Sequence, residues 1–299
     1  MEKNYLNIKV QPGNAFRIKT DESFCKLHQL QIINGRRGMG KTTFIVNFLR
    51  MMKQNSALDK VIFITSTYES NKDMFKDLPV TDIIHPDNVD AIKQVRDIMD
   101  DERDLLDTYH SELKRWESLN KMLKGRQPID TIDEELLLFF GERFEKPTHY
   151  LNGRKPVVAL FIDDSLGTRV FGVKSGLNQL CVTHRHLAVS ETLGPLGLSI
   201  FMATQSYVSN AYGINPTIRN NTTSLVLFQT KNEKELLKIA EEVGGFVTLP
   251  DFLDVYGQAM EGGEHNVLFI DLNPYKGNSF FRKNMNEMLY PKKNISSKN

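Results

Sequence analysis

The residues most able to do chemistry lie together near the start of the chain: Asn34-Gly35-Arg36-Arg37-Gly38-Met39-Gly40-Lys41-Thr42-Thr43. They match G-x-x-x-x-G-K-[ST], a loop whose glycines let backbone N–H groups wrap closely round phosphates. The apolar run Leu30 to Ile33 precedes it and the amphipathic Phe44 to Arg50 follows, which is the strand, loop and helix setting the motif requires. A helix starting near Lys41 would turn its positive end towards the phosphates. On this reading Gly35, Arg36, Arg37, Gly38, Met39 and Gly40 form the cradle and Lys41 neutralises the β and γ phosphates of ATP. The Thr42 hydroxyl ligates Mg²⁺, and Thr43 helps hold the α-phosphate.

Such a loop needs a second, acidic site at the end of another buried strand. Val157-Val-Ala-Leu-Phe-Ile162 ends in Asp163-Asp164, so Asp163 is expected to hold Mg²⁺ through water and Asp164 to polarise the attacking water. A third apolar run, Leu198 to Ala203, ends in Thr204-Gln205-Ser206, where an uncharged amide could sense the γ-phosphate; Gln205 is the candidate. Hydrolysis also calls for a positive charge that reaches the transition state, often an arginine from a neighbouring subunit. Arg169, Arg185 and Arg219 are candidates, with Arg36 and Arg37 as alternatives in cis. His184 and His186 flank Arg185, but two histidines two apart with no third ligand nearby make a poor zinc site.

Positioning these groups requires strands buried on both faces. Leu30 to Ile33, Val61 to Thr65, Val157 to Ile162, Leu198 to Ala203, Ser224 to Phe228 and Val267 to Ile270 are short, almost wholly apolar runs, several of them separated by helical segments. That is the pattern of an α/β fold with a mainly parallel central sheet between helices. Tyr5 to Val10 alternates like a half-buried strand and suggests an antiparallel edge strand added by an N-terminal extension, residues 1–28. The ATPase domain is expected over 29–275, and a basic C-terminal segment over 276–299, its end from Pro291 disordered.

One region interrupts the sheet. From Asp87 to Lys124 the chain is highly charged and free of Gly and Pro. Apolar residues recur at Ile92, Val95, Met99, Leu106, Tyr109, Leu113, Trp116 and Leu123, with Glu102 and Asn120 filling the gaps in a 3-4 spacing. This predicts a long amphipathic helix or a helical hairpin, within an insertion at about 87–145. Thr131 and Glu134 have capping-box spacing before a second helix, Thr131 to Phe140. The insertion covers an edge or face of the sheet or serves as a docking arm.

At 299 residues, 40% hydrophobic and 25% charged, the composition is that of a globular protein. Apolar runs of about half a dozen residues fall far short of the roughly 20 needed to span a bilayer, and no secretory signal is visible at the N-terminus. Cys25 and Cys181 cannot build a disulfide framework, so an intracellular, reducing compartment is expected. The formal charge of +1 is an average. Asp82 to Glu117 holds eleven acids against five bases, a net −6, leaving +7 elsewhere. Lys276 to Asn299 has six bases and one acid. Basic residues of this kind could neutralise phosphates of a nucleic acid.

The P-loop with Lys41-Thr42-Thr43, the Asp163-Asp164 strand end, His184-Arg185-His186, Ala203-Thr-Gln205-Ser-Tyr207 and Ile218-Arg-Asn-Asn221 occur in an order and spacing that resemble a known family. It is the genome-packaging ATPases of the FtsK-HerA superfamily, in the poxvirus-type branch of large DNA viruses, virophages and polinton-like elements. The resemblance runs from about Gln29 to about Val243. It implies a RecA-like core, a homo-oligomeric ring (hexamer or pentamer), and ATP-driven translocation of double-stranded DNA into a preformed capsid. Capsid or portal-vertex proteins become the implied partners, and the virion or host-cell assembly site the implied location. Lys41, Thr42, Asp163, Asp164 and Gln205 match the family's positions, although related translocases usually carry Glu where this chain has Asp164. Arg185 and Arg219 stand as alternatives for the arginine acting in trans. A different class, a P-loop phosphotransferase acting on a small molecule, would need an arginine-rich lid, and nothing between Thr65 and Pro147 reads as one. A nucleotide-dependent assembly protein without motor function shares the P-loop and is a third reading.

Overall fold

The computed structural model describes residues 9–10, 18–19, 25–125, 134, 138, 145–208, 213–245, 247–275 and 277–292. All six apolar runs form strands: β3 (Leu30–Asn34), β4 (Lys60–Ile64), β6 (Val158–Ile162), β9 (Leu198–Thr204), β10 (Ser224–Phe228) and β11 (Val267–Asp271). With β5 (Val80–Ile84), β12 (Phe281–Lys283) and β13 (Glu287–Leu289) they build one nine-stranded sheet in the order β13-β12-β11-β10-β3-β9-β6-β4-β5. From β10 to β5 every neighbouring pair is parallel; β11, β12 and β13 are added antiparallel beyond β10.

Alternation along each strand decides which layer it feeds. Ile33, Phe63, Phe161, Phe201 and Val226 point to one face, under helix α1 (Lys41–Gln54) and helix α2 (Tyr68–Phe75). Their neighbours Ile32, Ile62, Leu160, Ile200 and Leu225 point to the other. That face is covered by helix α3 (Ala91–Lys124), helix α4 (Leu177–Thr183), the short helix α5 (Pro216–Asn221), helix α6 (Glu233–Glu242) and helix α7 (Leu249–Met260). Both faces are dry, which is why the strands read as continuous apolar runs. Each such side chain contributes about 1.5–3 kcal/mol by leaving water.

The charged region from Asp87 is one 34-residue helix rather than a hairpin. Ile92, Val95, Met99 and Leu106 of its seam are buried in the sheet's core, whereas Leu113 and Trp116 are half-exposed and Leu123 is exposed. Glu102 sits on the seam because its carboxylate takes the Lys60 ammonium and the Tyr150 hydroxyl. The second helix, at Thr131 to Phe140, lies outside the described residues except for Glu134 and Leu138, both helical.

Of the expected N-terminal strand Tyr5 to Val10 only Lys9 and Val10 are among the described residues; as β1 (Lys9–Val10) they pair antiparallel with β2 (Ile18–Lys19) in a two-stranded ladder, and β7 (Val189–Ser190) and β8 (Gly194–Pro195) form another. At the other end, part of the basic segment from Lys276 onward is sheet, and of the end from Pro291 only Pro291 and Lys292 are among the described residues. Phe281 and Leu289 are buried in β12 and β13, Arg282 is buried opposite Asp271, and Lys283 donates to Glu261 O. Short strands with few apolar residues give little periodic signal along the sequence.

Candidate functional site at the carboxyl ends of the parallel strands

Parallel strands place all their carboxyl ends at one edge of the sheet, where ligand crevices form. β3 leads there into the glycine loop. Gly35 N donates to Thr204 O at 3.1 Å, stitching the loop's base to β9, and a Cβ on Gly35 would come within 2.9 Å of Phe228 Cβ. Gly40 has φ of 94°, a left-handed conformation that suits glycine, and it starts α1 at Lys41. Helix α1 therefore begins beneath the loop with its first N–H groups facing the crevice. Lys41 Nζ donates to Gly35 O at 2.7 Å and to Arg36 O at 3.0 Å, so the ammonium lies inside the loop's curve. Burial lowers its pKa, while the nearby Asp163 and Asp164 carboxylates oppose that shift.

β9 stands between β3 and β6, so Gln205 emerges between the loop and the acidic strand end. Asp163 N continues the ladder by donating to Ile64 O at 3.0 Å; its carboxylate is buried. The Thr42 hydroxyl donates to Asp163 Oδ2 at 3.0 Å, bringing the two expected metal-holding residues together across 121 positions of sequence. Burial raises the Asp163 pKa, with the Thr42 hydrogen bond pulling the other way. Asp164 has φ of 46°, so the chain turns sharply and its exposed carboxylate accepts from Gln205 Nε2 at 3.2 Å. A cleft of about 520 Å³ is lined by Arg37, Gly38, Lys41, Thr42, Thr43, Asp163, Asp164 and Gln205 among others.

Thr67, Asn71 and Met74 also line this cleft and were not singled out from the sequence. Thr67 comes from the loop after β4, and Asn71 and Met74 from α2. Thr65-Ser66-Thr67 directly after an apolar run was the available signal.

Of the arginine candidates, Arg37 alone lies at the cleft. Arg36 and Arg37 are both exposed on the loop. Arg169 is exposed on the connection after β6. Arg185 is exposed near the amino ends of the strands: the adjoining His184 bonds Leu198 O, at the start of β9. Arg219 is held within the chain. Its Nε donates to Glu242 Oε1 at 2.9 Å, its Nη1 to Ile214 O at 2.7 Å, and its guanidinium lies 5.7 Å from the Tyr207 ring centroid.

Among the described residues, no group of three or more His, Cys, Asp or Glu is placed to hold a metal ion. The Thr42 hydroxyl and one carboxylate suit a cation that takes its other oxygens from phosphate and water, which is how Mg²⁺ binds beside nucleotides. No described helix is long and apolar enough to cross a membrane.

No protein-family model and no curated protein matches the chain. Solved structures similar to it include the genome-packaging NTPase B204 of Sulfolobus turreted icosahedral virus 2, in complex with sulfate, at 11% identity and TM-score 0.42 over 86% of this chain and 95% of that one. EssC (ATPases 2 and 3) of Geobacillus thermodenitrificans is similar at 16% identity and TM-score 0.44, over 89% and 42% of the two chains. The pCW3 conjugation coupling protein TcpA, with ATPγS, is similar at 16% and TM-score 0.41, over 95% and 66%. Likeness at these values assigns neither activity nor partner.

Proposed function

We propose that this chain is an ATP-hydrolysing motor that translocates double-stranded DNA and works in packaging a viral genome into a preformed capsid. The observation that carries the ATPase part is the pairing of Thr42 with Asp163 and of Gln205 with Asp164 around Lys41. The order of motifs along the chain supports the DNA part. A bound Mg²⁺ would neutralise charge on the β and γ phosphates. Lys41 and the start of α1 bind those phosphates, while Thr42 and Asp163 hold the cation. Asp164 accepts the proton of the water that attacks the γ-phosphorus as the bond to the bridging oxygen breaks, and Gln205 orients that water through its amide. Arg185, exposed near the far end of the sheet, is the better placed of the two candidates to reach a neighbouring subunit in a ring, since Arg219 is engaged within its own chain. Capsid or portal-vertex proteins are the expected partners, and the virus assembly site the expected location.

ATPase rate measured with and without long double-stranded DNA tests the reading. Stimulation of several-fold that fades as salt is raised is the expected result. Turnover indifferent to DNA but dependent on a small acceptor would replace the motor with a phosphotransferase.

A further inference from the structure

A second cavity, of about 490 Å³, adjoins the phosphate cleft and shares Gly40 and Thr43 with it. It lies on the other side of β3. Asp163 and Gln205 reach the loop from β6 and β9, whereas this cavity is lined from Phe228 at the end of β10, His265 just before β11, and the turn between β12 and β13. Phosphates held with their terminal group towards Asp164 leave the rest of a nucleotide running this way, past Thr43.

The cavity's chemistry suits a flat heteroaromatic ring. Phe44, Phe48, Met51 and Phe228 give it an apolar floor, and Phe44 meets Phe228 edge-on with centroids 6.3 Å apart. His265, Asn284 and Asn286 are exposed at its rim and carry donors and acceptors. The rim is also braced. His265 Nδ1 bonds Met39 O at 3.1 Å, Val267 N donates to Asn284 Oδ1 at 2.9 Å, and Asn284 Nδ2 donates to Asn266 Oδ1 at 2.8 Å.

The turn itself is unusual. Asn284 and Met285 take successive left-handed conformations, with φ of 50° and 75°. Turns of this kind favour Asn-Gly, and a long side chain at the second position is strained. Met285 is nonetheless buried, packed in the same layer as Phe48 and Phe228 against the cavity. Backbone strain retained beside a cavity is a feature of ligand clamps.

We propose that this cavity is the nucleobase subsite, taking the purine of the nucleotide whose phosphates the glycine loop holds, with Met285 as its wall and Asn286 at the ring's polar edge. The proposal rests on the P-loop reading above, and its test separates the two. Calorimetric titration with ATP and with inorganic tripolyphosphate is run on the parent, Met285→Gly, Asn286→Ala and Lys41→Ala proteins. Glycine accepts the turn's conformation, so Met285→Gly removes the side chain without adding strain; circular dichroism checks that it folds, and the exposed Asn286 provides a variant with little bearing on folding. The parent binds ATP much more tightly than tripolyphosphate. Met285→Gly and Asn286→Ala weaken ATP about tenfold and leave tripolyphosphate unchanged, whereas Lys41→Ala loses both. Unchanged ATP affinity in both wall variants, or a parent that binds the two ligands alike, overturns the base subsite while the P-loop reading stands. Parent-like ATP binding by Lys41→Ala overturns the P-loop reading itself.

Discussion

On one side of the glycine loop the phosphate cleft is lined by Asp163, Asp164 and Gln205, which stand at the carboxyl ends of neighbouring parallel strands; on the other the adjoining cavity is lined by His265 and Asn284 to Asn286, which stand beside antiparallel ones. Parallel strands deliver their last residues to a common edge, so the first wall assembles from strand ends as soon as the sheet forms. The second wall depends on register. Because β11 runs opposite to β10, its start at Val267 lies level with Phe228, and only then do His265 and the β12–β13 turn come beside the loop. The first, chemical wall is written in contiguous motifs, and the second is written in how three short strands pair.

The strongest way to break this comparison is to remove the lysine inside the loop that separates the two walls. Lys41→Ala is expected to abolish nucleotide binding and with it hydrolysis. Asp164→Asn leaves the loop, Thr42 and Asp163 in place, so it should bind ATP as the parent does and hydrolyse it about 10²–10⁴-fold more slowly. Single-turnover measurement with pre-bound ATP separates the two variants. Hydrolysis at the parent rate by Asp164→Asn would take the water-activating role away from that wall.

The same contrast explains what could be read from the sequence. Six of the nine sheet strands, the glycine loop and the Asp163-Asp164 and Gln205 strand ends were visible because each is a local pattern of residue types. Strand β5 was not, since at the sheet's edge it alternates Val80, Thr81, Asp82 and lacks a continuous apolar run. The β12–β13 turn was hidden because Met285 occupies a position where glycine would have announced it. Glu102 was read as a gap in a seam, although it is a buried partner of Lys60; no spacing along the helix shows a lysine 42 residues away. Arg219 was offered for a neighbour because its pairing with Glu242 likewise depends on the fold.

That pairing gives an effect of intermediate size. The Arg219 side chain is 9% exposed, and Arg219→Ala leaves Glu242 and the Tyr207 ring without it, at a cost on the order of 2 kcal/mol of stability. Arg185→Ala, at an exposed site, should change stability by less than about 0.5 kcal/mol. Denaturant unfolding of the two variants makes the distinction. If Arg185 acts in trans, its variant also loses hydrolysis, and mixing it with Lys41→Ala subunits restores part of the activity, since each supplies what the other lacks.

The smallest expected effect bears on the cost of building the chemical wall. Burial raises the Asp163 pKa above its unfolded value, so the folded protein favours the neutral acid. The stability this lends is fully present below the unfolded pKa and is lost as pH rises through the folded one. At neutral pH the buried carboxylate is therefore a net burden on the fold, for which the proposed cation-holding role would account. Asp163→Asn keeps an acceptor for the Thr42 hydroxyl and removes the charge. Its Tm at pH 7 should exceed the parent's. The difference should shrink as pH falls into the carboxylate range, where the parent's Asp163 is protonated. ATP hydrolysis should be lost at every pH. A Tm below the parent's at pH 7 would mean that the carboxylate's attraction to Lys41 outweighs its desolvation, so that this wall stabilises the fold as well as serving the chemistry.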